Sequence, residues 1–221
     1  TMEVSSQGYK KDRVYGVLFK TGIFLNIGED HISKLEHPDF ADYLNCKKQL
    51  VKNSNRVILN KNTDYYDDIY AACSDKEVIT YGTDASADYY YDNVSKLATG
   101  FSFDAVKSDG SYRHGFEIHI PGRFNIENAL AAIVLGKSLG VSDENIYNGL
   151  IMTVVKGRMN VFEKDGITVI VDYAHNKLSY SKLYESLKLD YAGRRIVSVG
   201  GCVGGKAFNR RHEFGEIVGG N

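Results

Sequence analysis

The run Asn26-Ile27-Gly28-Glu29-Asp30-His31, with Tyr43-Leu44-Asn45-Cys46-Lys47 a short way on, gathers a carboxylate, an imidazole and an amine in one stretch of chain. Those three types suit a metal–phosphate site. Hard oxygen donors hold magnesium, and histidine serves as base, ligand or phosphate contact. Glu3, in Glu3-Val4-Ser5-Ser6, adds a further oxygen donor. Each residue taken alone also has a plainer account: Glu3 as a surface glutamate at a turn, His31 as a hydrogen-bonded loop histidine, Lys47 as an exposed lysine of an amphipathic helix. His37 has the weaker claim of shaping the loop.

A second group lies further on. In Gly122-Arg123-Phe124-Asn125-Ile126-Glu127-Asn128-Ala129, Asn125 suits a helix N-cap, where free N–H groups and the dipole favour anions. Asn128 falls inside that helix, a poor place for asparagine, and its amide can read a nucleotide base. Arg158, in Gly157-Arg158-Met159, suits a phosphate clamp or an interdomain ion pair alike. Asp172-Tyr173-Ala174-His175 ends a strand with a carboxylate and an imidazole, a site-like position in α/β proteins. Gly200-Gly201-Cys202-Val203-Gly204-Gly205-Lys206-Ala207 nearly matches the phosphate-cradling GxxxxGK[ST] loop. Ala207 stands where the magnesium-binding hydroxyl belongs, so a glycine-rich turn with a chance lysine is the simpler account.

These residues need elements to hold them. Gly22-Ile23-Phe24-Leu25 reads as a buried strand, and ligands of open α/β sheets bind beyond the carboxyl ends of strands. Pro38 opens a helix that Phe40, Tyr43, Leu44 and Leu50 continue. Strands are expected at residues 56–60 and 77–81, with a helix between them that Asp64 caps and that runs through Ala72. Residues 87–120 alternate as β segments around turns such as Ser108-Asp109-Gly110. Residues 126–139 form a helix stopped by Gly140, and Ser142 caps another. Beyond the junction come a strand (167–173), a helix (179–189) and a strand (196–200), which implies a parallel pair with a right-handed crossover. Two α/β pieces are expected, residues 1–156 and 157–221.

Composition narrows the function classes. A formal net charge of −1 supplies no field to draw the protein to nucleic acid or a membrane. No apolar run approaches the roughly 20 residues that span a bilayer. Cys46, Cys73 and Cys202 lie far apart, which fits neither a disulfide framework nor a structural zinc site and suits a reducing cytoplasm. The abrupt ends suggest a piece of a longer protein.

In their order, the fragments resemble the Mur ligase family, and within it the branch that adds the third residue of the peptidoglycan stem peptide. The fragments are Glu3-Val4-Ser5-Ser6, Phe24-Leu25-Asn26-Ile27 with Asp30-His31, Tyr43 with Lys47, Gly122-Arg123-Phe124-Asn125 with Asn128-Ala129, Gly157-Arg158-Met159, and Val171-Asp172-Tyr173-Ala174-His175-Asn176. The resemblance covers nearly all of the chain and is weakest over residues 83–115. It implies the later part of a central ATPase domain, a mixed sheet flanked by helices, plus the start of a Rossmann-like C-terminal domain. It implies an ATP-dependent amide ligase that joins an amino acid to UDP-N-acetylmuramoyl-dipeptide through an acyl phosphate, working as a cytoplasmic monomer. By resemblance, Lys47 is the lysine that CO₂ carbamylates, and with Glu3 and His31 it serves Mg²⁺ and the phosphates. Asn125 and Asn128 face the adenine of ATP, and Arg158 and Asp172 meet the nucleotide from the hinge and last domain. Ser5 and Arg13 hold the muramoyl dipeptide, and His175 lies where the last domain closes.

The loop over residues 30–38 and the Ala174-His175-Asn176 ending look most like lysine-adding members. Residues 200–206 align with a loop of the last domain rather than with a Walker motif, and the family's own P-loop falls upstream of Glu3. Two other readings stand beside the ligase. One is a non-catalytic or partner-dependent Mur-like subunit of lipid II amidation, which typically carries a four-cysteine zinc ribbon. The other is a nucleotide-binding module centred on Lys206.

Overall fold

Successive side chains of a strand face opposite sides of a sheet, and in Val57-Ile58-Leu59 all three are fully buried. Such a strand needs cover on both faces, which helices supply. The computed structural model describes residues 1–202 and 209–220. It opens with α1 (Ser6–Lys10), capped by Ser5, then β1 (Phe19–Phe24), α2 (Phe40–Lys52), β2 (Ser54–Asn60), α3 (Tyr66–Ala71) and β3 (Glu77–Gly82). β4 (Tyr89–Lys96), β5 (Phe101–Lys107) and β6 (Arg113–Ile118) complete a six-stranded sheet in the order β1-β2-β3-β4-β5-β6. Its first four strands run parallel and its last three antiparallel, so the sheet is mixed, as expected. β3 and β4 pair only through Tyr81 with Tyr89 and Gly82 with Tyr90. Asp88 closes the loop between them, accepting from the Thr80 N–H and hydroxyl, both at 2.7 Å.

α4 (Asn125–Ser138) and α5 (Asp143–Ile151) cover one face, where Ile58, Phe103, Phe116, Leu130 and Ile133 form a core. α2 and α3 cover the other, where Val57 and Leu59 meet Phe24, Val51 and Ile69. Gly140 ends α4 as expected: at φ +75° it donates to Lys137 O, and Val141 N–H reaches Gly136 O at 3.0 Å, a Schellman turn. Ser142 caps α5 by accepting from Asn145 N–H. Gly100, at φ +87°, is obligatory, since a Cβ there would lie 1.8 Å from Ile118 O.

Past Gly157 the chain forms a hairpin of β7 (Asn160–Lys164) and β8 (Ile167–Val171), then α6 (Lys177–Asp190) and α7 (Asn209–Gly219). The hairpin turns on Asp165-Gly166, both with positive φ, the signature of a tight two-residue turn. None of the helices among the described residues is long and apolar enough to cross a membrane.

Four local expectations need correction. The strand at residues 196–200 does not form: these residues join no ladder, Val197 and Val199 are exposed, and β8 pairs antiparallel with β7 instead of parallel with them. α3 starts after Tyr65, which is left-handed at φ +57°, so Asp64 lies outside the cap position and caps nothing. Asn125 is the first residue of α4 rather than its cap, because its amide donates back to Pro121 O at 2.7 Å. Pro38 stands one residue before the α2 cap, Asp39.

Candidate active site

The loop leaving β1 carries Asp30 and His31 away from the carboxyl end of the parallel strands. Its first anchor is the Ile27 N–H, which donates to Thr63 Oγ beyond β2 at 3.1 Å. His31 takes a left-handed backbone at φ +59°. The Asp30 carboxylate accepts the His31 N–H at 2.8 Å, and the His31 carbonyl accepts the His37 N–H at 3.1 Å. His31 Nδ1 lies 2.8 Å from Glu36 Oε1, while its Nε2 lies 3.7 Å from Asp30 Oδ2, beyond hydrogen-bonding distance. The imidazole is therefore oriented through Nδ1, while its Nε2 faces Asp30 and makes no hydrogen bond among the described residues.

α2 brings Lys47 to this loop. Its side chain is half-buried, with Nζ 5.8 Å from the centroid of the Tyr43 ring, and the same ring packs 5.7 Å from His31. Burial pushes the Lys47 ammonium below its ordinary pKa; the charges of Glu3 and Asp30 pull it back without restoring it. Tyr43 is itself raised to about 12, by burial first and then by the Asp30 charge. Glu3 is exposed just ahead of α1, and its charge is felt at Lys47. Lys47 thus feels the charge of Glu3 and of Asp30, and it shares the Tyr43 ring with His31.

The other sequence candidates fall into three places. Asn128 donates to Asn125 Oδ1 at 3.0 Å, so the two amides form one unit on the first turn of α4. Arg158 and His175 flank the Tyr173 ring, at 5.0 Å and 4.9 Å from its centroid. The Asp172 carboxylate beside them accepts the Met159 and Ala174 N–H groups at 2.9 and 2.7 Å. Arg158 has no carboxylate partner among the described residues, so the ion-pair reading gives way to stacking on Tyr173. Ser5 caps α1 by accepting the Gly8 N–H, which leaves its hydroxyl proton to donate, and Arg13 is exposed beyond that helix. Lys206 lies outside the described residues, and the described residues 196–202 ahead of it form no strand.

Sequence reasoning missed the partners of Asp30, namely Arg210 and Asn176, through which the two ends of the chain are joined. Asp30, with 6% of its side chain exposed, accepts from Arg210 Nε and Nη2 and from Asn176 Nδ2, all at 2.9 Å. Burial opposes its ionisation, but Asn176, His31 and Arg210 outweigh that and hold its carboxyl below the usual range. Arg210 stands 180 residues from Asp30 in sequence, so nothing local marks it. A cavity of about 650 Å³ beside this pair is lined by His31, Glu36, Asp172, His175 and Arg210, among others. It joins the β1 loop to the strand-end Asp172–His175 group.

A site split between a strand-end loop and a later α/β piece invites comparison with known proteins. Residues 1–136 match the family profile of the Mur ligase middle domain, and residues 157–220 that of the Mur ligase, glutamate ligase domain. The chain is 40% identical over 218 residues to the UDP-N-acetylmuramyl-tripeptide synthetase of Lactococcus lactis subsp. cremoris (strain MG1363), covering 98% of this chain and 44% of the relative. It is 41% identical to the UDP-N-acetylmuramoyl-L-alanyl-D-glutamate--L-lysine ligase of Streptococcus sanguinis (strain SK36), covering 98% of this chain and 43% of that relative. The chain thus spans less than half the length of these relatives. Among solved structures, MurF from Acinetobacter baumannii shares the fold at a TM-score of 0.76 and 23% identity, covering 90% of this chain and 43% of that one. MurF ligase from Thermotoga maritima in complex with ADP does so at 0.68 and 18%, covering 90% and 45%. Matching profiles over both pieces, in the order the sequence motifs require, leave one assignment: the chain belongs to the Mur ligase family.

Proposed function

We propose that this chain is the later part of the central ATP-binding domain and the start of the last domain, divided near residue 156, of a cytoplasmic, monomeric amide ligase. Its reaction adds L-lysine to UDP-N-acetylmuramoyl-dipeptide at the expense of ATP. Relatives named L-lysine ligases support the choice of amino acid. The observation that carries the reading is Lys47, a half-buried amine that feels the charges of two carboxylates, Glu3 and Asp30, and shares the Tyr43 ring with His31.

Burial favours the neutral amine, the form that attacks CO₂. An N–C bond forms, one C=O electron pair moves to oxygen, and the amine proton leaves to water. A cation becomes a carboxylate-like donor. That oxygen, Glu3 and the Nε2 of His31 make a donor set suited to Mg²⁺, with Glu36 fixing the imidazole from behind. Bound magnesium neutralises charge that builds on a transferring phosphoryl group. The substrate carboxylate attacks the γ-phosphate as ADP leaves, and the incoming amine then displaces phosphate from the acyl carbon. In this reading Asn125 and Asn128 face the adenine, and Arg158 and Asp172 meet the nucleotide at the hinge. Ser5 and Arg13 hold the muramoyl dipeptide. His175 stands where the last part closes and excludes water from the acyl phosphate.

The test is ¹³C NMR of this chain in ¹³C-bicarbonate. A carbamate signal that disappears on acidification and in Lys47→Ala is expected. In the full-length ligase, Lys47→Ala should lose roughly 100-fold or more in kcat, as for loss of one preorganised charge. An unmodified Lys47 together with an active Lys47→Ala enzyme would end the reading.

A further inference from the structure

His37 is absent from the proposed chemistry, yet it is the most enclosed ionisable side chain of the site region, with no exposed surface. Its ring spans two elements: Nδ1 lies 2.6 Å from Asp42 Oδ2 on α2, and Nε2 lies 2.9 Å from Ser6 Oγ, the first residue of α1. Its backbone closes the His31 loop from the other side. The His37 N–H donates to His31 O, and the Ser33 N–H donates to His37 O at 2.9 Å. The Tyr43 ring lies between the two histidines, 5.3 Å from His37 and 5.7 Å from His31. One residue therefore fastens the loop carrying His31, the helix carrying Lys47 and the helix whose N-terminal lead carries Glu3 and Ser5.

We infer that His37 is a positioning residue: the Asp42–His37–Ser6 hydrogen-bond chain sets the start of α1, and so Glu3 and Ser5, in register with His31 and Lys47. This rests on the reading of those four as site residues. The partners assign the proton. An ionised carboxylate only accepts, so Nδ1–H donates to Asp42, and in the neutral ring Nε2 accepts from the Ser6 hydroxyl. The Asp42 carboxylate is held below its usual range by Lys10, at 2.5 Å, and by His37, which keeps it an acceptor. The order serine, histidine, aspartate is that of a hydrolase triad. Ser6 is only 3% exposed, so the chain of bonds anchors and does not attack.

The test compares Ser6→Ala, Asp42→Asn and Lys10→Met. The first removes the far link and the second the fixed acceptor. The third breaks the Lys10–Asp42 ion pair and spares the chain through His37. In this chain, imidazole ¹⁵N NMR should find His37 protonated at Nδ1. Amide exchange over residues 5–8 and 31–37 should rise roughly tenfold or more in Ser6→Ala and Asp42→Asn and stay near wild type in Lys10→Met. In the full-length ligase the same two variants should lose roughly 10–100-fold in kcat/KM, mostly through KM for the muramoyl dipeptide. A His37 proton resting on Nε2 alone, or equal loosening in all three variants, overturns the inference. So does unchanged exchange in Ser6→Ala and Asp42→Asn. A chain that shows the exchange pattern but carries no carbamate sinks the ligase reading and leaves the anchor standing.

Discussion

Asp30 shows at the residue scale how a buried charge is tolerated. A carboxylate with so little exposed surface must be paired or protonated, and Arg210 and Asn176 pair it from the far end of the chain. Removing one member of such a pair costs more than the pair itself contributes, because the other charge stays buried. Arg210→Met should therefore destabilise the chain by about 3 kcal/mol, with Asn176 limiting the loss. Replacing both partners in Asp30→Asn/Arg210→Met should recover part of it, since the double variant strands no charge. Chemical denaturation of the two variants checks this, and a double variant less stable than Arg210→Met would contradict it. The Lys96–Asp190 pair, which joins β4 to the last residue of α6, has a half-exposed lysine and should contribute well under 1 kcal/mol. α6 is thus tethered at both ends, firmly at Asn176 and weakly at Asp190.

At the scale of elements, Asp143 is the joint among α4, α5 and the β5–β6 turn. It is the first residue of α5, and its carboxylate accepts from Lys137 Nζ at 2.9 Å and from the Tyr112 hydroxyl at 2.7 Å. Burial works against its charge, but Lys137 and Tyr112 prevail and its pKa falls below the ordinary 3.8. A carboxyl depressed by folding contributes stability above its unfolded pKa and loses it as pH falls through the folded value. Asp143→Asn should cost about 1 kcal/mol at neutral pH, and that difference should shrink toward zero as the pH drops below about 3.8. A pH-independent gap between variant and wild type in urea titrations would refute the assignment. Local chemistry made these helices legible: Ser142 and Gly140 mark ends that the structure keeps. Asp165-Gly166 was a readable hairpin signal that was overlooked, and with it β7. The strand expected at residues 196–200 fails because apolar alternation states a preference, whereas a strand exists only with a ladder partner. Of the site, what a short motif carries was legible: Asp30-His31 in the loop after β1 and Lys47 on α2. Arg210 was not, since only the tertiary fold brings it to Asp30.

Over the whole molecule, apolar burial is unevenly shared, and stability should follow it. Both large core clusters lie on the six-stranded sheet, where Val57, Ile58, Leu59 and Ala105 have no exposed surface. The β7–β8 hairpin leaves Phe162, Ile167, Val169 and Val171 each nearly half exposed or more. Two strands without a second layer are marginal in water, and this pair is held by polar ties such as Arg194, which donates to Thr168 Oγ1 and Gly166 O at 2.8 Å. Regions with few buried apolar contacts open locally, at free energies far below global unfolding. Native-state hydrogen exchange should therefore split the chain. Amides of β2 and β5 should exchange only through global unfolding, with a steep dependence on added denaturant. Those of β7 and β8 should exchange faster by several orders of magnitude, with almost no such dependence. Arg210→Met should widen the split, because it releases α7 from the β1 loop without touching either core cluster. Convergence of the two sets on a single exchange isotherm at low denaturant would mean that the polar ties make one cooperative unit of the sheet and the hairpin. The tether at Asp30 would then outweigh the uneven distribution of buried apolar surface.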